Sequence, residues 1–352
     1  MMKWLQRFVA VAVLCITLTG PALAAGLNNI DVLKLPEWPV LTSSYGGTLL
    51  LSDSPETAPA DGILYQDTVS GNVRLFVYNV NGTSKPKKIV VLLENSGPKN
   101  AHVIVYQHGF AGPSENYMDV GKTAQADYLA GGGLYRTEVP AGDSAYLDRH
   151  LNDVVVKPNM LINGIYDFLT DRPVKVSVLM LPVHADAGRY IRHAKILPAD
   201  AQHLRGTFEG PNRLLIPEQV YNPADKQMFA LTLADNKIDR YLTGVDATDG
   251  SPVVNYGNYG VMYKLFIPSD YPGKMAFFLN PRGGSYAGFI GLKYRHVKLP
   301  SIATPSGRLA LGDEKMTDFA PVGVYEGGQS LWFTFSPPGA SNLPVKLIVI
   351  PQ

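Results

Sequence analysis

Residues 71–97 read GNVRLFVYNVNGTSKPKKIVVLLENSG, and residues 257–283 read GNYGVMYKLFIPSDYPGKMAFFLNPRG. Laid end to end, they share Gly71-Asn72, Pro86, Lys88, Leu93 and Gly97 with Gly257-Asn258, Pro272, Lys274, Leu279 and Gly283, at a constant offset of 186. Two further blocks fall in the same order. Leu51-Ser52-Asp53 precedes the first stretch as Leu233-Ala234-Asp235 precedes the second, and Pro173-Val174-Lys175 follows the first as Pro344-Val345-Lys346 follows the second. Three ordered blocks point to an internal duplication. The period is far longer than the roughly 20–50 residues of a solenoid repeat, so it implies tandem domains.

Within each copy the apolar residues come in short β-branched and aromatic runs. They are 73–80, 89–93, 102–106 and 174–181 in the first, and 261–267, 275–279, 331–335 and 345–350 in the second. Gly, Pro, Asn or Ser borders them, as expected of strands and turns. Val174, Val176 and Val178 alternate with Lys175 and Ser177, the pattern of a half-buried antiparallel strand. The run IVVLL at 89–93 is apolar throughout and belongs deep in a core. Asn79-Val80-Asn81-Gly82 reads as a turn, with Pro272-Gly273 in the matching place.

Only Ser114–Gly131 switches to a period near 3.6, with Tyr117, Val120, Ala124 and Tyr128 on one face. Ser114 is the expected N-cap and Gly131 the left-handed terminus. Gly97 to Pro173 is 76 residues and Gly283 to Pro344 is 61, so the first copy is longer by about one helix. The expected fold is all-β: two tandem β-sandwich domains, Ig-like or jelly-roll-like, from an internal duplication, with one helix inserted in the first. The corresponding division is a signal peptide at 1–24, a lead-in at 25–45, a first sandwich at 46–183 with its helix near 115–130, a polar inter-domain brace at 184–227, and a second sandwich at 228–352.

The signal peptide rests on Lys3 and Arg7 before the apolar stretch 8–19, followed by Ala22-Leu23-Ala24. Export to the periplasm, cell surface or exterior of a bacterium is the expectation, with no integral membrane span after cleavage. The single cysteine, Cys15, lies in that leader, which leaves no disulfide or cysteine-based zinc chemistry. A net charge of +1 supplies no basic field for nucleic acid. Gly at 34 and Pro at 27, beside 46% apolar residues, describe a turn-rich globular chain rather than a disordered one.

The stretch VIVYQHGFAG at 103–112 resembles the strand-then-His-Gly loop that supplies oxyanion donors in α/β-hydrolases. Such an enzyme needs a G-x-S-x-G nucleophile turn, and Gly283-Gly284-Ser285-Tyr286-Ala287 ends in Ala with no helical pattern after it. His108-Gly109 is therefore read as a strand end leading into the helix.

Candidate binding residues cluster in the polar segment: His184, Asp186, His193, His203, Arg205, Glu209 and Arg213. Tyr256 and Tyr259, set among turn residues, are candidates for stacking on a sugar. The expected role is non-catalytic: binding of a cell-surface polysaccharide or an envelope protein, or a structural part in an assembly, with no cofactor. Two alternatives make definite demands. A hydrolase of envelope glycan needs two facing carboxylates from 186–209, among Asp186, Asp200 and Glu209. A metal-binding module needs His184, Asp186 and a second histidine to converge.

Overall fold

The computed structural model describes residues 30–223, 227–312 and 318–352; the expected signal peptide lies outside them. The chain is all-β and sandwich-like. Its first strands are β1 (Val40–Tyr45), β2 (Thr48–Ser52), β3 (Thr57–Ala58), β4 (Gly62–Asn81), β5 (Lys87–Glu94), β6 (Ala101–Ser114), β7 (Tyr135–Val139), β8 (Ser144–Tyr146) and β9 (Leu161–Pro182), with helix α1 (Tyr117–Ala130) between β6 and β7. Then follow β10 (Arg205–Glu209), β11 (Asn212–Pro217), β12 (Phe229–Leu233), β13 (Thr243–Val245), β14 (Pro252–Val254), β15 (Met262–Phe266), β16 (Lys274–Pro281), β17 (Gly288–Tyr294), β18 (Val297–Thr304), β19 (Ala320–Glu326), β20 (Leu331–Phe335) and β21 (Val345–Pro351).

Two long strands organise the first half. β4 and β9 pair antiparallel along their length, interrupted by an irregularity at Val69/Gly71. Beyond it the outer partners change. Residues 175–182 of β9 pair with β5, whereas residues 161–170 pair with β6. The result is an outer sheet, β4(62–69)–β9(174–182)–β5–β8, and an inner sheet, β10–β2–β4(72–80)–β9(161–170)–β6–β7, which β13 and β14 extend beyond β10. Leu64, Val69, Leu75, Val91, Val105 and Val176 belong to the core they share. Gly71 lies at the break with φ 76°, a conformation that glycine adopts freely and that lets the strand cross between sheets.

The second half makes the same pairings from separate strands: β12–β21–β16–β19 outside and β1–β11–β15–β20–β17–β18 inside. Its core includes Leu231, Tyr263, Phe277, Ile290, Phe333 and Leu347. β11 runs parallel to β15 as β2 runs parallel to β4; apart from the short β3, which is also parallel to β4, the other strand pairs of both halves are antiparallel. Registers agree as well. Glu94 faces Lys175 and Asn280 faces Lys346; Val69 faces Val174 and Leu233 faces Val345.

Two matches of the sequence comparison are corrected. Arg74 and Lys264 hold corresponding places at an offset of 190, so Gly71-Asn72 does not align with Gly257-Asn258, whereas Glu94 and Asn280 keep the offset of 186. The partner position of β2 is β11, so Leu51-Ser52-Asp53 has no structural counterpart in Leu233-Ala234-Asp235 at the end of β12. Asp recurs after strands for a local reason: the Asp235 carboxylate accepts the N–H groups of Lys237, Ile238 and Asp239 and so forms its own turn.

The leading strands are exchanged between the halves. β1 continues into β2 through Gly46-Gly47 yet pairs with β11, and β10 continues into β11 through Gly210-Pro211 yet pairs with β2. Both pairings share one antiparallel register, from Val40↔Pro217 to Ser52↔Arg205. They form one two-stranded ribbon that passes from one inner sheet to the other. Segment 184–227 thus supplies a strand to each half, and the lead-in 25–45 ends in a paired strand. At the crossing a Cβ on Gly47 would lie 1.8 Å from the Asn72 carbonyl oxygen, so no larger residue fits.

Helix α1 begins later than expected. Ser114 is still strand, paired with Leu161, and its hydroxyl accepts the Asn116 N–H at 3.1 Å. Asn116 is the cap, accepting the Asp119 N–H at 3.3 Å, while Gly131 closes the helix in the left-handed conformation. The helix docks on both halves. Its far side reaches the second half through Gln125, which donates to the Ser336 carbonyl and accepts the Phe289 N–H, and through Lys122, which donates to the carbonyls of Pro305, Arg308 and Leu309 at 2.9–3.1 Å. Phe76, Tyr78, Val120, Tyr128, Phe208 and Met262 are buried together where the halves meet.

A Cβ on Gly121 would lie 1.9 Å from the Gly339 carbonyl oxygen, whereas one on Gly133 meets nothing within 4 Å. Gly121→Ala is expected to cost about 1–3 kcal/mol by overpacking this joint, against less than about 0.5 kcal/mol for Gly133→Ala. Urea unfolding midpoints of the two variants check this, and equal midpoints would contradict the docking.

Candidate functional site

The residues singled out in the sequence do not gather into one site. His184 and His193 are exposed. Asp186, also exposed, caps a short helix, α2 (Ala187–Tyr190), by accepting the Arg189 N–H at 2.9 Å. Glu209 is exposed and accepts from the Thr48 hydroxyl, and Asp200 accepts from Ser54 and the Glu56 N–H. The three carboxylates thus serve three separate local turns and edges, because each lies on a different element. Arg205 and Arg213 do not pair with them. They are buried and pair with Asp246 and Asp239, residues far along the chain that the ribbon brings alongside.

His184 and Asp186 do not converge with a second histidine among the described residues; His203 instead meets Asp246 and Asp249, with ligand atoms within 4.8 Å. Asp246 is fully engaged. Its Oδ2 takes Arg205 Nε at 2.6 Å and His203 Nε2 at 2.8 Å, and its Oδ1 takes the Thr248 N–H and hydroxyl. Burial pushes its pKa up, but hydrogen bonds from Thr248, Arg205 and His203 outweigh this and hold it below the usual value. A cation there would have to displace a buried guanidinium, so the cluster is a structural knot. Tyr259 is mostly buried, with its hydroxyl on the Ser341 carbonyl at 2.7 Å, and Tyr256 packs edge-on against Tyr241 on an exposed turn. His108 faces the inside of the first half, stacked on Tyr166.

A cleft of about 820 Å³ lies between the two inner sheets, and a niche of about 200 Å³ at the ribbon crossing shares Arg74, Tyr106, Asp167 and Asn212 with it. This is within the roughly 300–1,000 Å³ of small-molecule sites. Strand register positions its walls. On the first inner sheet Leu49, Arg74, Asp167 and Gln107 stand in one cross-strand row. On the second, Leu214, Lys264, Thr334 and Gly291 form a row with the same neighbours. The adjoining row is Phe266, Trp332, Lys293 and Lys298. A β-bulge at Val105/Gln107 turns Tyr106 into the cleft, and Tyr128 and Leu129 of α1 close one side.

The two walls differ in electrostatics. Arg74 is buried and bidentate on Asp167, Nε–Oδ1 2.7 Å and Nη2–Oδ2 2.9 Å, with Nη1 on the Gly260 carbonyl. The Tyr128 hydroxyl also donates to Asp167 Oδ2, at 2.7 Å. Lys264, half-buried, has only the Thr334 hydroxyl, at 3.0 Å, as a hydrogen-bond partner among the described residues. Burial pulls its pKa down, Arg74 and Lys298 add to this, and Asp167 opposes it. Among the described residues Lys264, Lys293 and Lys298 form no ion pair. Lys293 and Lys298 face each other directly, a like-charge arrangement that weakens a strand pair. The turn joining them holds Arg295 at φ 50° and His296 at φ 66°, where Asn-Gly is the favoured pair. His296 lines the cleft mouth.

Sequence reading missed these residues. The signal was KYRHVK at 293–298, four basic side chains about a two-residue turn. Lys264 gave none, since a lysine in MYKLF looks like any outward-facing strand residue.

No protein-family model matches the chain, and no curated protein matches it. Among solved structures it is similar to the CUB1-EGF-CUB2 domain of human MASP-1/3, at 10% identity over 89% of this chain and 99% of that one, with a TM-score of 0.19. It is similar also to the oxalate decarboxylase of Lactobacillus farciminis, at 10% identity over 88% and 86% with a TM-score of 0.13, and to the vicilin of Corylus avellana (hazelnut), at 8% over 88% and 86% with 0.12. At such TM-scores none of these likenesses carries an argument about this chain.

Two buried groups give testable energetics. Asp167→Asn strips Arg74 of its countercharge and is expected to cost about 3–5 kcal/mol, whereas Arg74→Met with Asp167→Leu recovers most of that; chemical denaturation of the single and double variants decides. Asp53 is 6% exposed, its Oδ1 has no hydrogen-bond partner, and burial, then Glu56 and Asp200, raise its pKa well above the usual carboxylate range. Because the folded value is the higher one, its contribution to stability is complete below about pH 4 and is lost as pH rises toward the folded value. Asp53→Asn should therefore melt above the wild type near pH 8 (roughly one to several degrees) and lose that advantage in acid; a difference independent of pH would refute the assignment.

Proposed function

We propose that this is an exported bacterial envelope or extracellular protein that binds a segment of surface polymer, non-catalytically, in the cleft between its inner sheets. The observation that carries this is the cleft itself: about 820 Å³, open, and lined by aromatic rings and polar side chains held on paired strands rather than on loose loops. Trp332, half-buried and tilted against Phe266 at 4.7 Å, offers a rigid face for a sugar ring, with Tyr45 and Tyr106 exposed nearby. Among the described residues lining the cleft the one carboxylate, Asp167, is engaged by Arg74 and Tyr128. This favours binding over glycoside hydrolysis, which needs a free pair. Export rests on the leader sequence.

Two tandem sandwiches from one duplicated unit remain our reading of the architecture. The common pairing order, shared senses and matching registers of the two halves support it.

Retention of residues 25–352 on purified bacterial cell wall tests the function. Trp332→Ala is expected to lower affinity about tenfold or more, as loss of a central aromatic anchor does, while Tyr256→Ala stays within about twofold. Unchanged retention by Trp332→Ala, with the fold intact by circular dichroism, would remove the cleft as the site.

A further inference from the structure

The two rows facing each other across the cleft share a leucine and a cation in the same places and differ at the two positions that follow, Asp167 against Thr334 and Gln107 against Gly291. Arg74 stands between Leu49 and Asp167, and Lys264 stands between Leu214 and Thr334. The neighbouring rows confirm the correspondence: Leu50–Leu75–Tyr166 points into the first core and Leu215–Leu265–Phe333 into the second. Each wall thus offers a cation at the same place, but only the first supplies its own anion. A half-buried ammonium with one hydroxyl partner carries an uncompensated desolvation cost. Lys293 and Lys298 add two more positive charges on the same face, opposite one another against the ordinary preference of strand pairs. The turn between them is strained, with two residues at positive φ that are neither Gly nor Asn. Unfavourable choices concentrated at one wall of one cleft are the mark of a site shaped for something other than stability.

From these observations, and resting on the cleft as the binding site, we infer that its ligand is an anionic saccharide, whose acidic group takes on Lys264 the place that Asp167 takes on Arg74 while a sugar ring lies on Trp332. The geometry suits one ring and its substituent. Thr334 faces Lys264, Trp332 is two residues along the same strand on the same face, and Lys293 faces Trp332. Gly291, beside Thr334, leaves the floor without a side chain. Lys293 and Lys298 then meet the acidic group of the next sugar, and a cationic cleft draws such a chain in from solution. The shared chemistry is a carboxylate or a sulfate ester on a sugar; which of the two is left to the arms of the test.

Titration calorimetry of residues 25–352 against four probes separates the outcomes: a galacturonate hexamer, its methyl ester, a sulfated neutral hexasaccharide and a dT10 oligonucleotide. Binding of one or both anionic saccharides at least about tenfold tighter than the methyl ester, weakening with added salt, is expected. The decisive variant is Thr334→Asp. It gives Lys264 an internal anion like that of Arg74, so the melting temperature should hold or rise while anion binding falls about tenfold or more. Lys293→Gln with Lys298→Gln, both exposed, should weaken binding and flatten its salt dependence without unfolding. Binding of neither anionic saccharide more tightly than the methyl ester, or full anion binding by a folded Thr334→Asp, overturns this inference and leaves the cleft reading standing. Binding of dT10 as tight as that of the saccharides overturns it in favour of a general polyanion site. Failure of every probe, together with wild-type cell-wall retention by Trp332→Ala, brings down both.

Discussion

The arrangement of this protein depends on a single ribbon. Residues 40–52 and 205–217 form one antiparallel ladder that leaves one inner sheet and enters the other. The second half cannot complete its inner sheet from its own continuous stretch of chain. β2 needs β10 at its edge, and β11 needs β1. Exposed edges invite pairing with other chains; here each half covers the other's edge, and the chain gains a fixed relation between the two inner sheets. That relation opens a space between sheets instead of burying them flat. The crossing at Gly46-Gly47 and Gly210-Pro211 is its end wall.

With the sheets held, the charges in that space follow two different rules. Arg74 and Asp167 obey the rule of protein interiors: planar guanidinium on carboxylate, further hydrogen bonds from Tyr128 and to Gly260, nothing left over. Arg205 with Asp246 and Arg213 with Asp239 are likewise buried guanidinium–carboxylate pairs on the ribbon strands. Lys264, Lys293 and Lys298 depart from that rule. The contrast cannot be laid to a shortage of acids, since the formal net charge is only +1. Acids are placed opposite the arginines and kept away from these lysines.

How much of this was legible depends on range. The runs 89–93, 275–279, 331–335 and 345–350 lie in strands within a residue or two of their ends, because apolar alternation and turn residues are local signals. The helix was legible for the same reason, and its start was misread only because β6 stays paired with β9 as far as Ser114. The ribbon was not legible. VLTSSY and RGTFE carry few apolar residues, and nothing within either one names a partner more than a hundred and fifty residues away. Arg205, Arg213 and His203 were picked out as candidate binding residues in a polar segment; in the structure each pairs with an aspartate distant in sequence, and the two arginines are buried. The basic hairpin 293–298 was visible and passed over. Polarity concentrated in the segment 184–227 drew attention that belonged to polarity concentrated at one tight turn.

The halves also differ at the connection between equivalent strands. In the first, α1 separates β6 from β7; in the second, β17 turns directly into β18 through Arg295 and His296. These differences meet in space. α1 leans out of its own half, fastened by Gln125 and Lys122 to the other, and its Tyr128 and Leu129 form one side of the cleft. The short hairpin, with no helix of its own, leaves room for Lys293, Lys298 and His296 at the mouth. A second helix after β17 would fill that room, and a second tight turn after β6 would leave Asp167 without Tyr128. Two identical halves would enclose either a packed core or a symmetric gap. The asymmetry makes one cleft with a neutralised wall and a charged one.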